Sequence, residues 1–359
     1  MKDVIFILSS LNDSHYRKRV EEFVARGYNV TVYGFKRKGQ RLDESPMYQA
    51  VVLGEIESRS FTSRLALFNR CIKQIANECR GKLCFYSSLD VAIFAHIHIR
   101  SPYIYEVCDL TELTIGNCII RNILTRINRY TIKKSLITII TSEGFAKHFS
   151  GLEGKKMWLM PNKVSPDIPA YKPEHRELNY EKIKIGFVGV IRFETIYHFA
   201  QSCADYGKNI ELHLFGIYSA ADEWSDKVRR LAETAPNIVF HGCFANPVDL
   251  PSIYDQIDLV LCTYTPSLGV RYAEPNKLYE AIYFRCPIIV SENVFLGDKV
   301  SRLGIGYAIN AMDEHSIKCF LENLNPEDYN EKVAACGKIP QHDCLNINES
   351  FFERLKEIC

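Results

Sequence analysis

Short apolar runs alternate with longer amphipathic stretches along almost the whole chain, and the pattern begins afresh at residue 183. Alternation of this kind is the mark of βαβ units and parallel sheets. At 359 residues the chain is also longer than one ordinary core supports, since single cores stop growing near about 250–300 residues. Together these observations predict an α/β protein of two doubly wound domains facing a cleft. In such sheets ligands bind beyond the carboxyl ends of the strands.

The elements follow in order. Val4–Leu8 reads as the first strand: Met1-Lys2-Asp3 leads directly into it, the run is short, and no small-residue cleavage site follows, so it is not a signal peptide. A helix with Val20, Phe23 and Val24 on one face comes next, stopped by Gly27. Further strands are expected at Val30–Tyr33, Leu83–Tyr86, Tyr103–Val107, Ile137–Thr141 and Met157–Met160. Residues 161–182 hold four prolines and little periodicity. The expected division is therefore a first domain over 1–165, a linker over 166–182 and a second domain over 183–340. The second domain opens on Ile183–Gly189, with strands at Ile210–Phe215, Ile238–Phe240, Leu259–Cys262 and Ile288–Val290. The amphipathic segment Glu349–Ile358, within a tail over 341–359, is a candidate to cross back to the first domain.

Composition excludes several classes. A hydrophobic content of 47%, a charged content of 24% and a formal net charge of +1 describe a globular chain without a global nucleic-acid signal. No run of eighteen apolar residues exists to span a bilayer. Thirteen cysteines are scattered singly without a C-x-x-C pair, and Cys84, Cys262 and Cys286 lie inside apolar stretches. That usage points to a reducing cytosol with neither disulfides nor zinc.

The most informative stretch is Ala273-Glu274-Pro275-Asn276-Lys277-Leu278-Tyr279-Glu280, followed by Arg285-Cys286-Pro287 and a buried strand. It reads as a loop, a helix opened by Pro275, a turn and a strand. The free N–H groups of a helix start, with the dipole behind them, seat a phosphate. Lys277 in the first turn can meet a diphosphate. Glu280, one turn on and on roughly the same face, can accept from two ribose hydroxyls. Taken alone, such a Lys/Glu pair reads first as a solvated pair on a packed helix; its context reverses that.

Other segments give that pair its context: Tyr105-Glu106-Val107-Cys108-Asp109-Leu110, Ile140-Thr141-Ser142-Glu143, Met160-Pro161-Asn162, Gly186-Phe187-Val188-Gly189, Leu214-Phe215-Gly216, Val239-Phe240-His241-Gly242 and Ile257-Asp258-Leu259-Val260. In this order, completed by Pro275-Asn276-Lys277 and Glu280, the chain resembles GT-B glycosyltransferases, close to the retaining family 4 that builds bacterial surface polysaccharides. The resemblance covers most of the chain and is strongest from about residue 183 to 310. It implies two Rossmann-like domains, a nucleotide-sugar donor held mainly by the second, and an acceptor facing the first. By position, Glu280 would hold the donor ribose and Lys277 the diphosphate, with Asn276 beside them. Gly189 and the helix start after it would lie against the phosphates, with Arg192 as the basic side chain there. Gly216, at the end of its strand, would border the nucleobase. Where the family carries the first glutamate of a pair, this chain has Tyr272, with Glu274 two residues on as the alternative grip on the sugar. Arg271 joins Arg192 and Lys277 as a cation for the phosphates. No cofactor is implied; the nucleotide sugar, UDP- or GDP-linked, is a substrate.

Glycosyl transfer leaves negative charge on the departing diphosphate, which cations and helix N-termini can stabilise. The sequence offers no D-x-D between apolar strands to hold a divalent ion. The loop Ser9-Ser10-Leu11-Asn12-Asp13-Ser14-His15 follows the first strand, where an acceptor would approach. Asp13 or Ser14 can cap the helix that follows; alternatively Asp13 or His15 orients the acceptor hydroxyl, or acts as base if the reaction inverts. Asp109, at the end of a buried strand, is a comparable catalytic candidate, its alternative being a turn-stabilising role.

Two basic features suggest an anionic acceptor or an anionic membrane surface. One is Arg17-Lys18-Arg19 with Lys36-Arg37-Lys38 and Arg41. The other is Phe61–Cys79, with Leu65, Phe68, Ile72, Ile75 and Cys79 at helical spacing among Arg64, Arg70 and Lys73. An ordinary amphipathic helix packed on the sheet is the preferred account of the second. The expectation is a cytoplasmic protein, peripheral at the inner face of the cell membrane, acting on a glycan or polyprenyl-diphosphate-linked glycan. Three alternatives stay open: a GT-B-fold nucleotide-sugar epimerase, a catalytically inactive nucleotide-sugar-binding partner, and a dinucleotide-dependent oxidoreductase. The last is disfavoured because neither opening strand runs into G-x-G-x-x-G.

Overall fold

A computed structural model describes residues 2–42, 45, 47–57, 61–152, 156–173, 178–179, 181–206, 209–220 and 222–358. It divides into two compact units, residues 1–160 with 348–359, and residues 161–347.

The first unit runs β1 (Asp3–Leu8), α1 (Ser14–Ala25), β2 (Asn29–Arg37), β3 (Ala50–Ile56), α2 (Phe61–Ile75), β4 (Leu83–Tyr86), α3 (Leu89–His98), β5 (Tyr103–Val107), α4 (Cys118–Lys134), β6 (Ile137–Ile140), α5 (Glu143–His148) and β7 (Met157–Leu159). Its seven strands lie in the order β3-β2-β1-β4-β5-β6-β7, all parallel. The order reverses between β1 and β4, so the loops after those two strands diverge and leave a crevice. β3 went unpredicted by sequence because it is an edge strand: it pairs only with β2 and most of its residues are exposed or half-buried, which blurs the apolar signal.

The second unit runs β8 (Ile183–Ile191), α6 (Glu194–Tyr206), β9 (Ile210–Tyr218), α7 (Glu223–Thr234), β10 (Ile238–Gly242), α8 (Leu250–Asp255), β11 (Leu259–Cys262), α9 (Asn276–Tyr283), β12 (Ile288–Ser291), α10 (Phe295–Leu303), β13 (Gly306–Ile309), α11 (Glu314–Asn323) and α12 (Pro326–Gly337). Its sheet is parallel in the order β10-β9-β8-β11-β12-β13. β13, also absent from the sequence reading, is again an edge. The proline-rich stretch lies against this unit: Val164 pairs with Leu345, and Val164 and Ile168 enter the core around α9 and β12.

The last helix, α13 (Glu349–Ile358), belongs to the first unit. Phe351, Phe352 and Leu355 are buried with Phe23, Tyr28 and Phe85. Phe352 meets Phe23 edge-on at 4.9 Å, and the Arg26 guanidinium covers the other side of its ring at 4.5 Å. Truncating such a buried ring costs about 3–5 kcal/mol. Phe352→Ala is therefore expected to destabilise the first unit by about that amount, read as a lowered denaturant midpoint for its transition.

Candidate functional site

In the second unit the candidate donor residues converge on the carboxyl ends of β8 and β11. Gly189 and Gly216 are direct partners in the β8–β9 ladder, at φ 140° and 137°. A Cβ on Gly216 would stand 1.8 Å from the Gly189 carbonyl oxygen, so only glycine fits there. A Cβ on Gly189 would stand 3.0 Å from Lys277 Nζ, which places that ammonium directly over the strand end, 5.7 Å from the Phe187 ring centroid. Side-chain-free backbone and a cation thus share one spot.

Lys277 projects from the first turn of α9. Pro275 is the N-cap rather than the first helical residue: its ψ of 158° is extended, and its carbonyl accepts from Leu278 N–H at 3.1 Å. Glu280, one turn on, is buried. Its Oε2 accepts from the Tyr254 hydroxyl at 2.8 Å and its Oε1 from Asn276 Nδ2 at 2.5 Å. Burial raises the Tyr254 hydroxyl well above its ordinary range, with the Glu280 carboxylate adding to the rise. Tyr254 therefore stays a donor. Asn276 is the half-buried partner, and a ribose hydroxyl reaching Oε1 would compete with it.

Arg192 follows β8, exposed, with its guanidinium 4.9 Å from the Phe193 ring centroid. Phe193 in turn meets Tyr264 edge-on at 5.0 Å. Burial pushes the Tyr264 hydroxyl up; Arg192 lowers it and Glu280 raises it, so the phenol sits within the fields of both. Arg192 thus follows the end of β8, and Lys277 lies over Gly189 of the same strand.

Two further expected donor residues lie in the loop before α9. The buried Glu274 accepts from the Tyr279 hydroxyl and from Lys299 Nζ at 2.9 Å, tying the loop before α9 to α10. Both bonds go to Oε1; the side chain is covered, and Oε2 has no hydrogen-bond partner among the described residues. Arg271 is exposed and lies against Tyr272, while its carbonyl accepts from Phe295 N–H. Tyr254 and Lys299 were missed by sequence reading; neither lies in a motif, and only the fold brings them to Glu280 and Glu274.

The first unit has its own cavity of about 370 Å³ outside the ends of β1, β4 and β5, lined among others by Ser10, Asp13, Arg37, Asp90, Glu106 and Asp109. Asp13 occupies the N-cap position of α1, but its side chain does not cap; Oδ1 accepts from Arg37 at 2.9 Å. Asp109 is exposed on the cavity wall. His15 lies outside the lining, with its ring Nε2 3.0 Å from Glu106 Oε1.

Glu106, quoted in a motif but not singled out, is the organising group. It is 0% exposed, and the same Oε1 accepts from Arg19 Nε at 3.2 Å and Nη2 at 3.0 Å. Burial by itself raises this carboxyl, but Arg19 and His15 outweigh it and hold it at about 2. Its Oε2, buried, has no hydrogen-bond partner among the described residues. The ligating atoms of His15, Glu106 and Cys108 lie within 4.8 Å of one another. A cation suits the spot poorly, because the Arg19 charge already holds the carboxylate and burial keeps the Cys108 thiol well above its ordinary value.

The expected basic patch is largely consumed by pairing. Arg19 is buried on Glu106, Lys36 meets Glu55 at 3.5 Å, Arg37 meets Asp13, and Lys38 meets Glu57 at 2.6 Å. Helix α2 is an ordinary amphipathic helix: Phe68, Cys71, Ile72 and Ile75 are buried, and Phe68 stacks on Phe35 of β2 at 4.0 Å. Its apolar face is therefore not offered to a membrane.

No protein-family model matches the chain. Over 94% of its length it is 23% identical to the succinoglycan biosynthesis protein ExoL of Rhizobium meliloti (strain 1021), covering 89% of that protein. In structure it is similar to a sucrose-phosphate synthase of Thermosynechococcus elongatus, with TM-score 0.72 and 14% identity over 99% of this chain and 98% of the other. HepE of Anabaena, solved in complex with UDP-glucose, superposes with TM-score 0.65 at 12% identity over 99% of this chain and 100% of the other. The fold is thus GT-B in class: two parallel-sheet α/β domains.

Removing the Glu106 charge leaves the buried Arg19 with Glu22, at 3.2 Å, as its carboxylate partner; breaking a buried pair costs up to about 3–5 kcal/mol. Glu106→Gln is expected to lower the stability of the first unit accordingly at pH 7. The contribution belongs to a carboxyl whose folded value is depressed from 4.5 to about 2. It is complete above 4.5 and is lost as pH falls toward 2. Denaturant unfolding of both proteins across that window should show the gap between them closing.

Proposed function

We propose that the chain is a glycosyltransferase. It moves a sugar from a UDP- or GDP-linked donor to a glycan or polyprenyl-diphosphate-linked glycan in bacterial surface-polysaccharide assembly, at the inner face of the membrane. The observation that carries the reading is Lys277 Nζ over the side-chain-free end of β8 at Gly189, with the Glu280 carboxylate one turn further along α9. A diphosphate seated on this backbone would meet the ammonium, the N-terminal N–H groups of α9, and Arg192. Charge on the leaving group would be met by these cations, so the proposed reaction needs no metal. The ribose would then fall toward Glu280 and displace Asn276. ExoL supports the polysaccharide setting, and the UDP-glucose complex of HepE supports a nucleotide-sugar donor.

The cavity of the first unit would take the acceptor. Its serines, carboxylates and Arg37 match a polyhydroxylated ligand, with Asp109 and Asp13 as the groups to orient the attacking hydroxyl. Retention of configuration follows from the family resemblance. One feature favours inversion as a second reading: His15, held by the buried Glu106, has the arrangement of a base oriented by a carboxylate. The anomeric configuration of the product, read by proton NMR, separates the two.

The donor assignment predicts thermal stabilisation by one nucleoside diphosphate among UDP, GDP, dTDP and ADP, with CMP and NAD as controls. A ligand at 100 times its Kd contributes about 2.7 kcal/mol. Glu280→Ala should remove the shift. Stabilisation by NAD alone, or by none of the nucleotides, would contradict the reading.

A further inference from the structure

Helix α4 turns polar groups inward and isoleucines outward. Ile132 is buried, but so are Asn128, which donates to both carboxylate oxygens of the buried Glu112 at 3.1 Å and accepts from the Tyr105 hydroxyl at 2.9 Å, and Thr131. Its outer side carries isoleucines. Ile119 is 67% exposed, Ile123 49% and Tyr130 52%, with Ile120 next to them and Ile97 at the end of α3 at 64%. The Tyr130 ring meets His96 of α3 at 5.5 Å, so the two helices present this surface together. Ile119, Ile123, Arg126, Tyr130 and Lys134 fall at i, i+4, i+7, i+11 and i+15, one continuous stripe. A globular helix normally turns such residues inward. Here the buried Glu112–Asn128–Tyr105 network favours the opposite rotation: turning the isoleucines inward would break both Asn128 bonds to Glu112 and leave it to His148, 3.1 Å away.

The charges identify what covers the stripe. Arg121, Arg126, Arg129, Lys133 and Lys134 are all cationic, and the helix has no acidic residue. Apolar side chains at one end, a tyrosine midway and lysines at the other fit a helix lying in the headgroup region of an anionic bilayer. A second copy meeting the same face across a two-fold axis would set these cations against each other. A nucleic-acid backbone would leave the isoleucines in water. We propose that the exposed face of α4, with Ile97, is the surface by which this chain docks on anionic lipid. This deepens the reading of a lipid-linked acceptor, and it places the contact on α4 rather than on α2 or the Lys36–Lys38 stretch.

The test is sedimentation of the full chain with vesicles of phosphatidylcholine, with and without phosphatidylglycerol. Binding is expected only to the anionic vesicles and should weaken as salt rises. Ile119→Glu with Ile123→Glu should lower the bound fraction about tenfold, and Arg126→Gln with Lys133→Gln and Lys134→Gln should lower it similarly. These positions are exposed, so circular dichroism and the thermal shift with nucleotide should match wild type, which keeps this test independent of the donor site. Equal binding by the isoleucine variant, equal binding to neutral vesicles, no binding by wild type, or a dimer in sedimentation velocity that Ile123→Glu dissociates would each overturn the proposal.

Discussion

A carboxylate taken out of water must be paired, and this chain buries several near the carboxyl ends of its strands and the start of α9. Glu106 sits on Arg19 and His15 at the end of β5; Glu280 sits on Tyr254 and Asn276 in α9; Glu274 sits on Lys299 and Tyr279 just before it. Each pairing also ties two elements together: α1 to β5, α8 to α9, and the loop before α9 to α10. The geometry of the loops at the strand ends follows from where these charges are satisfied. Glu112 plays the same part for α4, where its bonds to Asn128 decide which side of the helix faces out.

The parallel sheets supply the rest. Every strand of a parallel sheet points its carboxyl end the same way, so the loops after β1, β4 and β5 gather at one rim of the first unit. Those after β8 and β11 gather at one rim of the second. The Gly189–Gly216 pair keeps the second rim free of side chains at the spot Lys277 covers. A cation above bare backbone is what the proposed diphosphate site would need, and very little sequence supplies it.

Interior strands were legible from sequence because they are buried on both faces and read as continuous apolar runs. Leu83–Tyr86, Leu259–Cys262 and Ile288–Ser291 are examples. The edge strand β3 was not, since exposure dilutes its signal; β13, a four-residue edge strand, was passed over as well. Lys277 and Glu280 could be placed relative to each other because helical spacing alone sets one turn between them. Their partners Tyr254 and Phe187 could not, because those contacts cross the fold. The basic run around Arg19 misled for a related reason: spacing shows where charges cluster, but not that Glu106, 87 residues away, takes one of them into the core. The outward face of α4 was hidden in the same way, since its periodicity gives an apolar stripe without saying which way it points.

The central claim is that Lys277 meets the diphosphate of a sugar nucleotide at the end of β8. Isothermal titration with the preferred nucleoside diphosphate and with its parent nucleoside, against wild type and Lys277→Ala, tests it directly. The account predicts at least about a tenfold loss of diphosphate affinity, or ~1.4 kcal/mol, with nucleoside affinity unchanged. Equal diphosphate binding by the two proteins, or a parallel loss for the nucleoside, would contradict it.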